Sequence, residues 1–590
     1  MNVFLKKLYF VLPFEDLLRI GKLTILLTLV AVMEVFGLAL ISFLLINIQN
    51  LREAIESILL FSQAISFFEI SGDNAILIFC IFVIAYSLLT LTSSIAIIRS
   101  LNISGQFIGS RIRQEILSYY LDSDWFQTSN INVTEKVSKI INDGRQVGYL
   151  VIFSLHLFSR FILCVFIIAG LFIFSPLLTM ALVSILLFSY TLITFFISPL
   201  IKKHGSNTSK MMNSSMQILS NIFGSVKEII FYDVKHEFIS KYKSTDSNLV
   251  YAEAHNAFYS QIPRFLIDSI ILIILVLLIA FFSGSEFNSE KIFASISVFG
   301  LAGLKVLPSF QNIYYFYYEI IYRQVQLSNV TEIFKAIELK SEPIHNNIFL
   351  EHSISFKNVN FNFEAQNPTL HDISFEFNRN NNIAIIGPSG SGKSTLLDLI
   401  LGLTSPQSGK IFFDDLEITS RNRDSIRSNF AFVPQKVQLI EGTLKENILF
   451  GSTLSNDNKD VFLKAISLAE LDEVIESLPN GLNTVISETN PIVSGGQKQC
   501  IGFARAFFKQ RHILVLDEAT SAMDQSLEAK IINNISIIQF KMVIAITHKG
   551  SILEYFNKIC ILQDGKIEAC DSLSKLEPKN IFLKQMLEKN

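Results

Sequence analysis

The chain has 590 residues, half of them hydrophobic, with 17% charged residues and a formal net charge of −3. This length exceeds one ordinary domain, and the high apolar content makes a membrane protein the first hypothesis. The Lys and Arg residues form no basic block interleaved with aromatic residues, so the sequence does not predict a nucleic acid partner.

Six apolar segments of roughly 19 to 27 residues occupy the first 320 positions, and each is near the roughly 20 residues that cross a bilayer as a helix. After residue 340 there is no such segment. The sequence therefore predicts six transmembrane helices, at residues 23–48, 75–98, 150–174, 176–201, 265–283 and 292–318.

The distribution of basic residues predicts the orientation, because Lys and Arg near the membrane are retained in the cytoplasm. Segments 99–149 and 200–264 carry six and eight of them, whereas 49–74 and 284–291 carry one each. Both termini are therefore expected in the cytoplasm of a multi-pass membrane protein. The abundant Ile, Phe, Asn and Lys are typical of an AT-rich bacterial genome, so the bacterial inner membrane is the expected location. The start, MNVFLKKLYFVLPFEDLL, favours an amphipathic interfacial helix over a signal peptide.

The chain is expected to divide into a transmembrane domain at 1–330, a linker at 331–352 and an α/β domain at 353–590. The cytoplasmic segments of the first domain are rich in helix formers, with turns expected near 122–126 and 231–234. From Ser353 onward, apolar strands alternate with helical stretches. The five cysteines have no metal-like spacing, and all five are expected to be core thiols.

The segment GPSGSGKST, from Gly387 to Thr395, follows the apolar strand NIAII and precedes a helical stretch. This is the context of a phosphate-binding loop, in which glycines let backbone N–H groups approach the phosphates of ATP. Lys393 would reach the outer phosphates, and the Ser394 hydroxyl would bind Mg²⁺. The predicted nucleotide-binding residues of this loop are Gly387, Ser389, Gly390, Gly392, Lys393, Ser394 and Thr395.

Two carboxylates end the buried strand HILVLDE. Asp517 suits a contact with Mg²⁺, and Glu518 suits polarising the attacking water. About 30 residues later, the strand VIAITH ends in His548, which would contact a γ-phosphate or, alternatively, is an ordinary core histidine. Lys393, Glu518 and His548 are the predicted catalytic residues.

Between these motifs lies VSGGQ, residues 493–497, and the combination resembles the ATPase domain of ABC transporters. The resemblance implies Gln435 as the Q-loop residue, which also contacts Mg²⁺, and the SAMD segment ending at Asp524 as the D-loop. Phe363 stands where the family usually has a tyrosine stacked on adenine. The signature residues implied are Ser494, Gly495, Gly496 and Gln497.

The sequence departs from the family pattern at Val493, usually Leu, and at Cys500, commonly Arg. In SETNP, which resembles the exporter X-loop, Glu488 is kept, but Ser487 and Asn490 replace the usual glycines. None of these changes removes a catalytic group, so they put coupling rather than hydrolysis in question.

Nearly the whole chain resembles the type IV exporter fold, an α-helical six-span transmembrane domain fused to a C-terminal α/β P-loop ATPase domain. The resemblance implies a homodimer that alternates between inward-facing and outward-facing states. It also implies coupling helices near 122–126 and 231–234 that pass movement from the ATPase domain to the spans.

Three basic residues lie at expected membrane depth: Arg160, Arg264 and Lys305. Ionisable residues there usually face a cavity and serve a pathway. Arg264 could simply pair with Asp268 one helical turn away. Arg160 and Lys305 lack an acidic residue at that spacing and are the better candidates for binding an anionic substrate.

Among exporters the sequence resembles most closely the PglK-type lipid-linked oligosaccharide flippases. The elbow FLKKLYFVLPFED, Pro263-Arg264 and Leu307-Pro308-Ser309 carry this likeness. Gln311 and Asn312 stand where members often have an arginine. Segment 51–70 could be an external amphipathic helix that meets a polyprenyl tail, or the solvated end of the first span.

The leading hypothesis is thus ATP-driven flipping or export of a polyprenyl-diphosphate-linked oligosaccharide or similar anionic glycolipid. Export of a peptide, a lipid or a hydrophobic drug is the alternative within the transporter class. From another class, a nucleotide-gated regulator that binds ATP without pumping remains open. Such proteins tend to lose the catalytic glutamate or the switch histidine, and this sequence retains both.

Overall fold

A computed structural model describes residues 2–47, 51–56, 72–129, 131–282, 289–339, 348–364, 367–488 and 492–588. The chain divides into two compact units. The first comprises Met1–Ser123 and Ser129–Leu339, and the second comprises Asp124–Thr128 and Lys340–Asn590. A five-residue segment of the N-terminal half thus belongs to the C-terminal unit.

The first unit is built of helices, several of which are far longer than a membrane is thick. A single π-helical turn, Lys139–Asp143, precedes the seventh α-helix. The described α-helices before residue 340 are α1 Asn2–Val11, α2 Phe14–Ile46, α3 Leu51–Glu56, α4 Gly72–Leu121, α5 Trp125–Ser129, α6 Val133–Ser138, α7 Gly144–Phe174, α8 Pro176–Gly224, α9 Val226–Phe231, α10 Lys235–Phe282, α11 Ser289–Tyr322 and α12 Gln324–Glu338.

Four stretches of the described residues are helical, long and apolar enough to cross a membrane. They are Phe14–Leu44, Ile76–Leu121, Val133–Phe174 and Pro176–Phe196. Helices also run through most of the predicted fifth and sixth spans, within α10 and α11, but these are not among the four. The predicted count of six spans therefore stays a prediction.

The predicted breaks in the long helices are confirmed. Helix α4 ends at Leu121 and the short helix α5 begins at Trp125, while α9 ends at Phe231 and α10 begins at Lys235. Of the expected external helix at 51–70, Leu51–Glu56 is helical and the remainder lies outside the described residues.

Helices α4 and α7 pack with their backbones unusually close, because each presents two glycines four residues apart. A Cβ atom on Gly148 would lie 2.8 Å from the Gly105 carbonyl oxygen and 3.1 Å from Gly109 Cα. A Cβ on Gly144 would lie 2.6 Å from the Arg113 side chain. Any larger residue at Gly148 would meet backbone atoms that cannot yield, so this contact fixes the register of the two helices.

The second unit is α/β and contains three sheets. A four-stranded antiparallel sheet has the order β2-β1-β4-β5, and a six-stranded sheet has the order β12-β11-β3-β10-β9-β6, with only β12 antiparallel. The strands are β1 Ser353–Glu364, β2 Asn367–Asn378, β3 Asn382–Ile386, β4 Ser408–Phe413, β5 Leu416–Glu417, β6 Phe430–Val433, β7 Gly442–Thr443, β8 Val485–Ile486, β9 Ile513–Asp517, β10 Met542–Ile546, β11 Lys558–Gln563 and β12 Lys566–Asp571.

Helices of the second unit cover the six-stranded sheet, and its central strands are apolar on both faces. In β3, Ile383 and Ile385 face one buried core, whereas Ala384 and Ile386 face the other. Such continuous apolar runs are typical of parallel strands buried on both sides. The helices are α13 Lys393–Ile400, α14 Arg423–Arg427, α15 Leu444–Leu449, α16 Lys459–Leu468, α17 Asp472–Ser477, α18 Gly495–Phe508, α19 Gln525–Ile538, α20 Leu573–Leu576 and α21 Ile581–Glu588.

The prediction that all five cysteines are thiols is wrong for one pair. Strands β11 and β12 form an antiparallel hairpin whose register places Cys560 opposite Cys570, with 4.1 Å between their Cα atoms, and the two form a disulfide. The spacing of ten residues gave no sign of this pairing, which depends on the hairpin. Cys80, Cys164 and Cys500 are free.

Candidate active site

The loop from Gly387 to Gly392 connects β3 to the first turn of α13, as the sequence predicts for a phosphate-binding loop. Gly390 and Gly392 have φ angles of 84° and 99°, in the left-handed region that favours glycine. A Cβ on Gly392 would also lie 2.9 Å from the Thr369 carbonyl oxygen. The Ser391 hydroxyl is buried and has no hydrogen-bond partner among the described residues. The loop thus has a helix N-terminus and an unsatisfied polar group where a phosphate would bind.

Lys393 is the first residue of α13, and its ammonium group turns back over the loop. Its Nζ donates to the carbonyl oxygens of Gly387 and Pro388, at 2.9 and 3.0 Å. Burial lowers the pKa of Lys393, and the charges of Glu518 and Asp517 act in the opposite direction. A cation held by two carbonyls at the mouth of the loop is suited to exchange those contacts for phosphate oxygens.

Glu518, the predicted general base, is held by two other predicted site residues. His548 Nε2 lies 3.0 Å from Glu518 Oε1, and Gln435 Nε2 donates to Glu518 Oε2 at 2.7 Å. Glu518 has a φ of 47°, which is uncommon for a residue other than glycine and is found at sites where a side chain must be aimed. His548 is 41% exposed, so it is not a core histidine.

Asp517, Ser394 and Gln435 offer the oxygen ligands that Mg²⁺ prefers. Asp517 is half-buried at the end of β9, and burial, followed by the charge of Glu518, raises its pKa while Lys393 lowers it. The Ser394 hydroxyl is exposed on the first turn of α13. Since the Gln435 amide nitrogen contacts Glu518, its oxygen is the atom left for an ion. These three residues would hold Mg²⁺, which would neutralise phosphate charge.

Phe363, the residue expected beside adenine, lies in β1, and its side chain is outside the described part of the chain. Its stacking role stays a prediction.

The signature segment forms the start of α18. Ser494 is the N-cap: its Oγ accepts from the Gln497 backbone N–H at 3.3 Å, and its own N–H donates to Gln497 Oε1 at 2.7 Å. This capping box leaves Ser494 and Gly495 exposed at the positive end of a 14-residue helix. The exposed N-terminus of this helix could therefore bind a phosphate group that belongs to another molecule.

The two residues near the signature that differ from the family pattern both have side chains buried in the core. Val493 and Cys500 are buried, at 4% and 1% exposure. In the X-loop, Glu488 accepts from the Lys498 ammonium at 2.7 Å and from the Leu439 N–H at 3.0 Å. Glu488 therefore ties the signature helix to the segment after Gln435. Asn490 lies outside the described residues.

The D-loop is held by two residues that the sequence reasoning missed. Lys549 Nζ donates to the carbonyl oxygens of Thr520 and Met523, at 2.9 and 3.3 Å, and pairs with buried Glu528 at 3.1 Å. Lys549 directly follows His548, so it joins the switch segment to the D-loop. Its position next to a motif residue was the one feature of the sequence that could have indicated a role for Lys549.

Gln499, on the signature helix, holds the D-loop from a second direction. Its Oε1 accepts from the Ala522 N–H at 3.1 Å, and its Nε2 donates to Ser521 Oγ at 3.3 Å. Asp524 ends the loop as the N-cap of α19, accepting from the Leu527 N–H at 2.9 Å. The D-loop is therefore fixed between Gln499 of the signature helix and Lys549, which follows the switch histidine.

The segment Asp124–Thr128 makes specific contacts within the second unit. The Trp125 N–H donates to the Leu403 carbonyl oxygen at 2.9 Å, and Ser405 Oγ donates to Asp124 Oδ2 at 3.0 Å. Arg423 Nη1 lies 3.7 Å from the same carboxylate oxygen, and both charged side chains are buried. The first predicted coupling segment is thus held by hydrogen bonds and a buried ion pair with residues of the second unit.

In the first unit, the structure supplies an acidic partner for one of the candidate substrate residues. Lys305 Nζ lies 3.3 Å from Oε2 of Glu34 on α2. Arg160 lines a cavity of about 20 Å³ together with Glu34. Asp268 accepts from Gln311 Nε2 at 2.9 Å, and no ion pair with Arg264 occurs among the described side chains.

A phosphate loop, a strand ending in Asp-Glu, a switch histidine and a capped signature helix together define an ABC-type ATPase. The ABC transporter family model matches residues 370–521. The C-terminal unit thus contains an ABC transporter ATPase domain.

Solved structures and curated proteins extend the similarity beyond that domain. A bacterial Atm1-family ABC exporter with ATP bound has the same fold over 98% of both chains, with a TM-score of 0.78 and 18% identity. A putative export ATP-binding/permease protein of Rickettsia bellii is 28% identical over 522 residues, 84% of this chain and 86% of its own. An ATP-dependent lipid A-core flippase of Pasteurella multocida is 34% identical over 259 residues, 43% of this chain and 44% of its own.

The family model thus confirms an ABC transporter ATPase domain in this chain, and the solved structure shows that the chain has an Atm1-type exporter fold. The likeness to PglK-type flippases is not confirmed by them.

Proposed function

We propose that the protein uses ATP hydrolysis to flip or export a polyprenyl-diphosphate-linked oligosaccharide or similar anionic glycolipid. The observation that carries this proposal is the presence of two cations, Arg160 and Lys305, on helices that the sequence predicts to span the membrane. Placing two cations at that depth is costly unless they serve a pathway for an anion. The lipid A-core flippase among the relatives, which is named for a glycolipid substrate, supports the same class of cargo.

In this proposal, each chain has six spans, cytoplasmic termini and an ATPase domain at 353–590. Two chains form a homodimer in the inner membrane. The exposed N-terminus of the signature helix would complete the phosphate site of the partner chain, which is why one ATPase domain per chain requires two chains. Closure of the two ATPase domains on ATP would then be passed to the spans through segments 122–126 and 231–234.

The residues of one chain have distinct roles in hydrolysis. Lys393 and the loop N–H groups bind phosphate oxygens, Glu518 accepts a proton from the attacking water, and His548 holds Glu518 until the γ-phosphate offers a second contact. Gln435 links this chemistry to the signature helix, because it bonds Glu518 and lies four residues before Leu439, whose N–H donates to Glu488.

The test is the ATPase activity of the purified protein in nanodiscs, titrated with a polyprenyl-diphosphate-linked oligosaccharide. Wild type is compared with the double variant Arg160→Ala, Lys305→Ala, and with Arg99→Ala as a matched control at the cytoplasmic end of a span. Stimulation in wild type and the control that is lost in the double variant supports the proposal. No stimulation in wild type, or equal stimulation in the double variant, would contradict the proposal. Export of a peptide, another lipid or a drug would then be the leading hypothesis.

A further inference from the structure

Glu34 is an acidic residue in an apolar helical stretch that is long enough to cross a membrane, Phe14–Leu44. Its carboxylate lies 3.3 Å from the ammonium of Lys305, and its side chain is only 18% exposed. A carboxylate in such surroundings is costly unless a cation pairs with it. Lys305 therefore already has a counter-ion inside the protein, contributed by another helix.

Arg160 places a second cation next to the same carboxylate. Arg160 on α7 and Glu34 on α2 line one small cavity, together with His156 and Ser94. Among the side chains that the structure describes, no acidic group lies within ion-pair distance of Arg160. Glu34 thus pairs with Lys305 and shares a cavity with Arg160, and the three side chains together carry a formal net positive charge.

The cavity has a volume of about 20 Å³, which is room for one water molecule and not for a diphosphate. Lys305 does not line this cavity and its side chain is 49% exposed, so a head group that binds both cations must reach Arg160 through space that Glu34 helps to fill. Such a group would have to displace the Glu34 carboxylate. A group with two or more negative charges would compete with the carboxylate for both cations, whereas a singly charged group would exchange one charge for another with no gain.

We propose that Glu34 is a built-in counter-ion, which occupies the cation site until a multiply charged phosphate head group displaces it. Glu34 thereby determines specificity for diphosphates over monoanions. This inference rests on the proposed function, because it assigns the ion pair to the site that receives the cargo. It adds a residue that the charge pattern of the sequence did not select as part of that site.

The experiment measures binding of farnesyl diphosphate, and of farnesol as the uncharged probe with the same tail. Calorimetric titrations are made on the full chain in nanodiscs of neutral lipid. Glu34→Gln keeps the size of the side chain and removes its charge, and Asp268→Asn is the matched control, because Asp268 is also an acid at expected membrane depth. Retained ATP binding shows that each variant is folded.

We expect the Kd for farnesyl diphosphate to fall about fivefold or more in Glu34→Gln, within the usual range of coupling between sites. The Kd for farnesol should stay the same in every variant, and Asp268→Asn should behave as wild type. In a Lys305→Gln background, Glu34→Gln should gain much less, because neighbouring groups that interact are not additive.

An unchanged or higher Kd for farnesyl diphosphate in Glu34→Gln, an equal gain for farnesol, or the absence of binding in both wild type and Glu34→Gln would each overturn the inference. The proposed function fails separately. If Glu34→Gln tightens diphosphate binding but lipid-linked oligosaccharide does not stimulate the wild-type ATPase, the counter-ion stands and the glycan substrate does not.

Discussion

Glu518 and His548 contact each other directly, with 3.0 Å between carboxylate and imidazole, at the ends of two adjacent parallel strands. Strand β9 ends at Asp517 and β10 ends at Ile546, opposite one another in register. Because the carboxyl ends of parallel strands meet at one edge of a sheet, residues 30 apart in the sequence form one catalytic pair.

Replacing Glu518 by Gln should abolish ATP hydrolysis while leaving ATP binding intact. The amide keeps the size of the side chain but cannot accept the proton, so we expect turnover to fall by about 10²-fold or more. Phosphate release and equilibrium binding of labelled ATP measure the two effects. Glu473→Gln, an exposed acid on α17, is the control and should hydrolyse ATP normally. Turnover within a fewfold of wild type in Glu518→Gln would mean that another group is the base.

Replacing Lys549 by Met should reduce turnover through the position of the D-loop. Lys549 bonds two D-loop carbonyls and buried Glu528, so Met leaves all three without their cation. We expect turnover to fall about 10- to 100-fold, as for a displaced positioning group, with little change in the Kd for ATP. Lys549→Arg should recover much of the loss. A large loss of ATP affinity instead would point to a general folding defect.

Replacing Asp124 by Ala should separate hydrolysis from transport. The change leaves buried Arg423 without its carboxylate partner, and breaking a buried pair typically costs about 3–5 kcal/mol. We expect ATP hydrolysis to continue while substrate no longer stimulates it. Glu115→Ala, which changes an exposed acid on α4 outside the predicted coupling segment, is the control. If substrate stimulates Asp124→Ala as it does wild type, this segment does not couple the units.

Replacing Asp398 by Asn should stabilise the ATPase unit at neutral pH but not at acidic pH. Burial, followed by the charge of Asp517, raises the pKa of Asp398 to about 6. Since the folded state binds this proton more tightly than the unfolded state does, the stability due to this group falls as pH rises from about 4 to about 6, and stays reduced above that range.

Asn removes this penalty without changing the shape of the side chain. After a discount for the remaining solvent exposure of the group, the gain at pH 7.5 is about 1 kcal/mol, or roughly 2–4 °C in unfolding temperature. Thermal unfolding without nucleotide at pH 7.5 and pH 4.5 measures it. A gain of equal size at both pH values would show that the ionised carboxylate is not the cause.

The ATPase site was largely predictable because its chemistry is local in sequence. Backbone conformation, a helix N-terminus and a lysine at fixed spacing make the loop from Gly387 to Lys393 recognisable without any tertiary contact. Gln435, in contrast, could be assigned a role only through a family resemblance, and its hydrogen bond to Glu518 could not be foreseen. A phosphate-binding loop requires particular residues within one short segment, so it can be recognised in the sequence. Contacts between separate loops depend on the order of the strands in the sheet, which the sequence does not show directly.

Three features required the folded chain. The pair Glu34 and Lys305 is separated by 271 residues, so the search for an acid one helical turn away overlooked it. Cys560 and Cys570 pair only through a hairpin register. Lys549 is distinguished in the sequence only by its position next to His548, and its contacts with the D-loop segment reveal its part in the site.

The central claim is that ATP hydrolysis moves an anionic glycolipid, and the most direct test is transport itself. Proteoliposomes are loaded with a fluorescent polyprenyl-diphosphate-linked oligosaccharide, and a membrane-impermeant glycosidase reports how much remains on the outer surface. We predict ATP-dependent loss of the lipid from that surface with wild type, and none with Glu518→Gln or with the double variant Arg160→Ala, Lys305→Ala. Wild-type protein that hydrolyses ATP but leaves the lipid distribution unchanged would contradict the account.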